Sequence, residues 1–484
     1  MMGNLKTFAV VATLGIVACQ TEEISVQQRI DKSVNHLEQE DVRKERAINN
    51  LNSLLNDIHN GTRTQTTYKI KSQILVKVSD FVEDVFKDDI SGYDNEFYLV
   101  SFENADGSIS TAVLGATPNL PSTIAIMNGT ELTVEDCRNA WVKIAIQNNL
   151  LSDDTNIQTR TRPGYESGLL LGSTIPVISL IIGTPNVNIT PPSNIISDTT
   201  TIEEYWETVS LVGPLVKSHF NQESPFNDDY DFINGVDGKR YYAGCGVVAL
   251  AQIITYNKLE RGYGPNVISN YIIDWETIRS AVEKQDSVYK KKYSKIKHFV
   301  EYSESEKQEL AKLHRSIADE VVRKNEFTPT GTTVYMSDIK DFLSDNKYIG
   351  VKQYDGYNED VVYSMLVDRM RPICCRGACV DCGGGHIFVI DGWYHRHLMQ
   401  KINRTIKYKD GTESTSTTID IAKTEKLIHV NWGYEGSRDG YFNQAVFDSY
   451  NAVCVKAEST RSDTDCECKN YSDGIILISY SDVK

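Results

Sequence analysis

A cysteine between two glycines, Gly244-Cys245-Gly246, opens a run in which Val247, Val248, Leu250, Ala251 and Ile254 recur at helical spacing. The spacing predicts that Cys245 stands at or just before a helix N-terminus. Unpaired amides and the positive end of the helix dipole there favour a thiolate and should lower the thiol pKa. Gly244 and Gly246 let a substrate backbone come close. Far downstream, His386 follows Gly383-Gly-Gly385 and opens the apolar stretch Ile387–Asp391, and Asn431-Trp432 closes another. Alone, Cys245 would be a buried structural thiol and Asn431 a turn residue. Together they can perform nucleophilic acyl transfer. The imidazole takes the thiol proton and returns it to a leaving amine, and an asparagine oxygen orients the imidazole. An amide side chain with the Cys245 N–H can hold the developing oxyanion.

Several elements must position these residues. Residues 24–59 carry the apolar stripe of one long polar helix or two shorter ones. Strand-like runs follow at Tyr68–Val78, Glu96–Phe102 and Ser108–Leu114, then a helix at Thr133–Leu150 with a capping partner at Asp136. These make a small α+β unit. Residues 151–200 are rich in Ser, Thr, Asn, Gly and Pro and read as a linker, with an apolar island at Ile175–Ile182. From about Glu203 a second domain begins. Helices are predicted from Cys245, from Trp275, at Glu304–Lys324, after a Ser337/Asp338 cap and at Glu359–Met370. Strands come later: Ile387–Asp391, a long hairpin around Lys409-Asp-Gly411, Leu427–Trp432, Gly440–Phe442 and Ile475–Tyr480. Helices first and strands later is an α+β order.

Composition bounds the partners. A formal charge of −16 argues against nucleic-acid binding, which needs a basic footprint, and gives no support for adhesion to anionic lipid. The N-terminus is different. Lys6 precedes an apolar run from Phe8 to Ala18 that is too short to span a bilayer and has the anatomy of a secretory signal. Its end, Ile16-Val-Ala-Cys19, resembles the lipobox of bacterial lipoproteins, which implies cleavage before Cys19 and acylation of that residue. The expected localisation is a bacterial cell envelope, with surface exposure or later release left open.

The chain has ten cysteines. With Cys19 as anchor, Cys137 as a small core residue and Cys245 as nucleophile, seven remain: Cys374, Cys375, Cys379, Cys382, Cys454, Cys466 and Cys468. Cys379-x-x-Cys382 and Cys466-x-Cys468 could build a four-sulfur zinc site. Outside the cytosol disulfides are favoured, so no metal is expected.

The catalytic blocks resemble the streptopain family of secreted thiol proteases, whose fold is papain-like. Pro214–Asn227 looks like the segment that carries the oxyanion glutamine, and Gly244–Ile253 like the nucleophile helix. Gly384–Gly392 and His429–Phe442 look like the histidine strand and the strand pair after it, and Tyr98–Phe102 with Ala112–Gly115 like the pro-domain sheet. The resemblance implies a papain-like α+β peptidase domain, with Cys245 as nucleophile, His386 as base and acid, Gln222 as oxyanion donor and Asn431 as the group that orients His386. It implies that Trp432 shields that contact, and that Gly385 and Thr333 present backbone to an extended peptide. It also implies a zymogen needing no cofactor, whose substrates are proteins or peptides and whose own pro-domain inhibits it. The expected division is signal 1–18, pro-domain 19–150, linker with the activating cut 151–202 and peptidase 203–484. Arg160 and Arg162 would suit a trypsin-like processing enzyme, and self-cleavage between about Ser193 and Glu207 is equally open. Asp391 is the fallback partner for His386. In the family a larger residue replaces Gly246, and the hairpin from Trp393 to Lys426 is shorter. Two other readings keep the scaffold: a catalytically silent surface adhesin, and a thiol acyltransferase that transfers to amines.

Overall fold

A computed structural model of the chain describes residues 42–58, 68–77, 96–134, 195–378, 385–447 and 471–484, apart from short breaks within these stretches. The expectations for the signal and Cys19, for Cys137, for the helix at Thr133–Leu150, for Ile175–Ile182 and for Cys379, Cys382, Cys454, Cys466 and Cys468 lie outside the described residues.

Helix α1 spans 42–58. Strands β1 (Lys69–Lys77), β2 (Glu96–Glu103), β3 (Ile109–Gly115) and β4 (Thr123–Met127) follow, then the long β5 (Ile195–Val212). Next come α2 (Cys245–Arg261), α3 (Trp275–Lys291), α4 (Glu304–Val321) and α5 (Met336–Asp345), strand β6 (Lys352–Asp355) and helix α6 (Glu359–Tyr363). The remaining strands are β7 (Ile373–Ala378), β8 (Gly385–Tyr408), β9 (Glu413–Asn431), β10 (Gly440–Asn443) and β11 (Asp473–Ser479). The order of mixed helices and then an antiparallel sheet is the expected α+β class. Among the described residues no helix is long and apolar enough to cross a membrane.

Contacts group the chain into two units, the first comprising Met1–Trp141, Ser210–His395 and Glu425–Lys484. Its strands run in the order β1-β2-β3-β4-β10-β9-β8-β7-β11-β6. The pairs β1/β2, β2/β3, β3/β4, β4/β10, β10/β9, β8/β7, β7/β11 and β11/β6 are antiparallel. Helix α2 is buried on every side from Gly246 to Asn257, as its nearly continuous apolar sequence requires. Helix α4 is amphipathic. It starts in a capping box, the Ser303 side chain accepting from the Glu306 N–H while the Glu306 carboxylate accepts from the Ser303 N–H.

The second unit holds Val142–Val209 and Arg396–Thr424. Its described part is a ribbon in which β5 pairs with β8 and a tight turn at Tyr408–Thr412 returns the chain into β9. Arg404 grips Asp198 with two nitrogens, at 3.0 and 2.5 Å, and the Arg396 guanidinium lies 4.0 Å over the Trp206 ring.

Three local expectations shift. Residues 195–200, read as linker, begin β5. Their β-branched run Thr199-Thr-Thr-Ile202 favours a strand, and it stays polar because most of that strand is exposed. The helix expected over Glu359–Met370 is α6 followed by one π-helical turn, Ser364–Asp368, and Met370 takes a positive φ of 54° that ends it. Helix α5 starts at Met336 with Tyr335 at its N-cap and no side-chain cap, so Ser337 and Asp338 lie inside it.

In α4, His314 is fully buried, its ring 5.1 Å from those of Phe220 and Phe226. Burial pushes the imidazole down to about 4, although a hydrogen bond between Nδ1 and the Leu310 carbonyl favours the charged form. An unfolded chain binds this proton below its ordinary value near 6.5, and the folded chain only below about 4. Stability is therefore lost as pH falls through that window, by up to about 3 kcal/mol, and is flat below it. Urea unfolding near pH 7 and near pH 4 should show a smaller loss for His314→Leu than for the parent chain.

Candidate active site

Cys245, the candidate nucleophile, is the first residue of α2. Gly244 caps the helix with φ 94°, a left-handed conformation, and a Cβ there would also press on Thr332 at 3.0 Å. A Cβ on Gly246 would lie 2.7 Å from Val334 Cβ and 3.2 Å from Ile387 Cδ1. Glycine at 246 is thus the counterpart of Val334. It lets the helix start sit directly on β8.

The thiol lies beside the histidine strand. Its sulfur accepts from the backbone N–H of Ile387, the neighbour of His386, and from the N–H groups of Gly246 and Cys245 itself. Burial pushes the thiol above its ordinary value. These three amides and the Arg376 guanidinium pull it down but do not overcome the enclosure. The residue as a whole keeps intermediate exposure, yet protein surrounds the sulfur closely. The expected lowering is therefore corrected. Helix amides act on Cys245 as foreseen, and desolvation outweighs them. A thiol held high needs a base at hand.

His386 is the candidate, its neighbour Ile387 being the residue whose N–H meets the sulfur. It is buried on β8, and Nε2 donates to the Trp432 carbonyl oxygen at 2.8 Å. A carbonyl cannot donate, so the neutral ring carries its hydrogen on Nε2 and its lone pair on Nδ1. The rings of Tyr434 and Tyr471 each have their centroid 4.9 Å away, Tyr434 stacked at 22° and Tyr471 tilted at 32°. Tyr471 reaches this position because residue 377 is glycine: a Cβ there would strike the Tyr471 carbonyl oxygen at 1.8 Å.

Asn431 does not orient His386. Its Oδ1 accepts from Gln252 Nε2 at 2.8 Å and from the Gly433 N–H at 3.1 Å, and its Nδ2 donates to the Ser218 carbonyl at 3.2 Å. The amide knits α2 to the loop after β9, and the next residue's carbonyl holds the histidine. Trp432 thus contributes main chain as well as a ring, stacked 6.3 Å from His386. Its N–H donates to Asp439 Oδ1 at 2.8 Å. Asp391, the fallback partner, pairs with His429 at 2.6 Å. Burial alone would lower His429, but the Asp391 charge holds it above its ordinary value.

Gln222 is half-buried, and its carbonyl accepts from the Ala243 N–H at 2.9 Å, two residues before Cys245. Gly385 is exposed at the start of β8. Thr333 is exposed too, and its neighbours Thr332 and Val334 are the residues that Gly244 and Gly246 abut. Cys374 and Cys375 are buried thiols on β7 and are pushed up by burial. Among the described residues no group of His, Cys, Asp and Glu could hold a metal.

Sequence reasoning missed Gln252, Arg376, Tyr434, Tyr471 and Asp439. Only Gln252 carried a signal, as a lone amide inside the apolar run Val247–Ile254. Arg376 is half-buried on β7, registered opposite Ile387, with Nη2 3.1 Å from where a Cβ on Gly385 would lie.

Residues 220–442 match the family model described as the Peptidase C10 family, the streptopain family. Among solved structures, a prointerpain A fragment from Prevotella intermedia is similar at 16% identity over 79% of this chain and 94% of its own, with a TM-score of 0.40. No curated protein matches. The family match bears out the resemblance read from the sequence.

Two outcomes follow from the geometry. Arg376→Gln should move the midpoint of Cys245 alkylation by iodoacetamide to higher pH, because a cation that favours the thiolate is lost. Asn431→Ala should lower the unfolding free energy by about 1–3 kcal/mol, the cost of taking the shared acceptor from the buried Gln252 amide and the Gly433 N–H, as denaturant titration would measure.

Proposed function

We propose that this chain is a cysteine endopeptidase that hydrolyses peptide bonds through a thioester on Cys245. The observation that carries the reading is the Cys245 sulfur beside the Ile387 N–H, next to a histidine whose Nε2–H is fixed on the Trp432 carbonyl. That tautomer leaves Nδ1 as the base. The thiol proton passes to the imidazole as sulfur attacks the peptide carbonyl, and the imidazolium then protonates the leaving amine. Water, deprotonated by the same imidazole, releases the acid and restores the thiol. In this reading the Cys245 N–H and the Gln222 side chain receive the oxyanion, while Gly385 and the backbone at Thr333 bind the extended substrate. No cofactor or metal takes part.

The same reading makes the chain a zymogen, with residues 19–150 as its pro-segment and the activating cut within 151–202. It places the protein on a bacterial envelope through an acylated Cys19. Protein substrates follow at the level of the family.

Cys245→Ala should abolish hydrolysis of a fluorogenic peptide library. Gln222→Ala should retain activity reduced on the order of 10²–10³-fold in kcat. Wild-type rates in both variants, measured with and without an amine acceptor, would sink the assignment and leave a binding protein on this scaffold.

A further inference from the structure

The segment that leads to Gln222 is tied to the sheet through one carboxylate. Asp391 is fully buried on β8. Its Oδ1 accepts from His429 Nδ1 on β9 at 2.6 Å, and its Oδ2 accepts from the Val216 N–H at 3.0 Å. Its main-chain carbonyl accepts from the Leu215 N–H at 2.8 Å. Backbones meet closely here. Gly213 takes a φ of 85°, and a Cβ on it would lie 2.4 Å from the Asp391 carbonyl oxygen. A Cβ on Gly392 would lie 2.6 Å from His429 Cβ.

Further ties follow along the same segment. The Ser218 carbonyl accepts from Asn431 Nδ2 at 3.2 Å and from Gln252 Nε2 at 3.4 Å. Gln285 of α3 clasps the His219 backbone, taking its N–H at 3.1 Å and donating to its carbonyl at 2.9 Å. The Phe220 carbonyl accepts from the Glu435 N–H at 3.2 Å. These ties join neutral groups, whereas Val216 donates to a carboxylate, and a bond to an ionised acceptor is about twice as strong. The carboxylate is in turn supported by its cation partner. Burial opposes charge on His429, and the Asp391 and Asp439 carboxylates outweigh it, while the Tyr441 ring meets His429 edge-on at 5.1 Å from β10. Moving Val216 away would take a donor from a buried carboxylate.

We propose that Asp391, paired with His429, is a positioning residue for the oxyanion donor. By holding Leu215 and Val216 on β8, it fixes the segment at whose end Gln222 stands. One strand then carries the base, His386, and sets the place of the oxyanion donor. The inference rests on the peptidase reading, and Asp391 acts through Gln222 rather than on the substrate.

The test exchanges the pair for apolar side chains, Asp391→Leu with His429→Leu, in the full chain. Such an exchange spares a fold more readily than removal of one partner. Rates on a fluorogenic peptide are compared with Gln222 present and in the Gln222→Ala background. With Gln222 present, kcat should fall on the order of 10-fold at little change in KM. In the Gln222→Ala background the exchange should cost no further activity. An equal loss in both backgrounds, a loss carried by KM, or no loss would overturn the proposal, because a merely structural pair does not act through Gln222. Hydrogen exchange read by mass spectrometry gives a second measure. Peptides covering 214–222 should exchange faster while those of α4 keep the parent rate, and parent rates over 214–222 would also overturn it. Should circular dichroism show that the double variant does not fold, Asp391→Asn replaces it in both measurements with the same deciding outcomes, since one amide oxygen cannot accept from His429 and Val216 together. Hydrolysis absent from the parent chain, before and after limited trypsin digestion, would sink the peptidase reading, while hydrogen exchange still decides whether Asp391 holds the segment.

Discussion

The hydrogen bond from His386 Nε2–H to the Trp432 carbonyl governs the site. A main-chain acceptor cannot rotate or trade roles as a side-chain amide can, so the imidazole tautomer is set by the path of the backbone. That path must then be held. Asp439 takes the Trp432 N–H from one side, and Asn431 takes the Gly433 N–H from the other. Asn431 is itself fixed by Gln252, on the helix whose first residue is Cys245. The helix that begins at Cys245 and the support of His386 are therefore joined by hydrogen bonds.

Close backbone packing explains why particular glycines stand where they do. Gly246 admits Val334, so the helix start meets β8. Gly377 admits the Tyr471 backbone, so an aromatic ring lies along His386. Enclosure holds the Cys245 thiol up despite three amides and Arg376. In the proposed reaction, proton transfer from sulfur to ring would make both charges at once, so neither has to stand alone in the resting site.

Much of this was legible in the sequence. The Gly-Cys-Gly start of an apolar helix, the histidine opening an apolar strand and the α+β order are all found as read, because short-range spacing sets them. Asn431 was located, but its role was not. Whether a side chain or the following carbonyl reaches a histidine depends on the turn after β9, and spacing carries no record of that. The thiol shift went the other way because dipole and amides are local, whereas burial is a property of the whole fold. Tyr471 and Arg376 come from segments far apart in the chain that only the β7/β8 register and Gly377 bring to His386 and Cys245. Residues 195–200 looked like linker because an exposed ribbon strand has the composition of one.

The most direct measurement is a rapid acid quench of the parent chain with an activated peptide ester, followed by intact mass and peptide mapping. An acyl group carried stoichiometrically on Cys245, and absent when iodoacetamide has first blocked that thiol, is the result expected of a thioester formed beside His386. Turnover that continues with Cys245 alkylated, or an acyl group mapped to another residue, would contradict it.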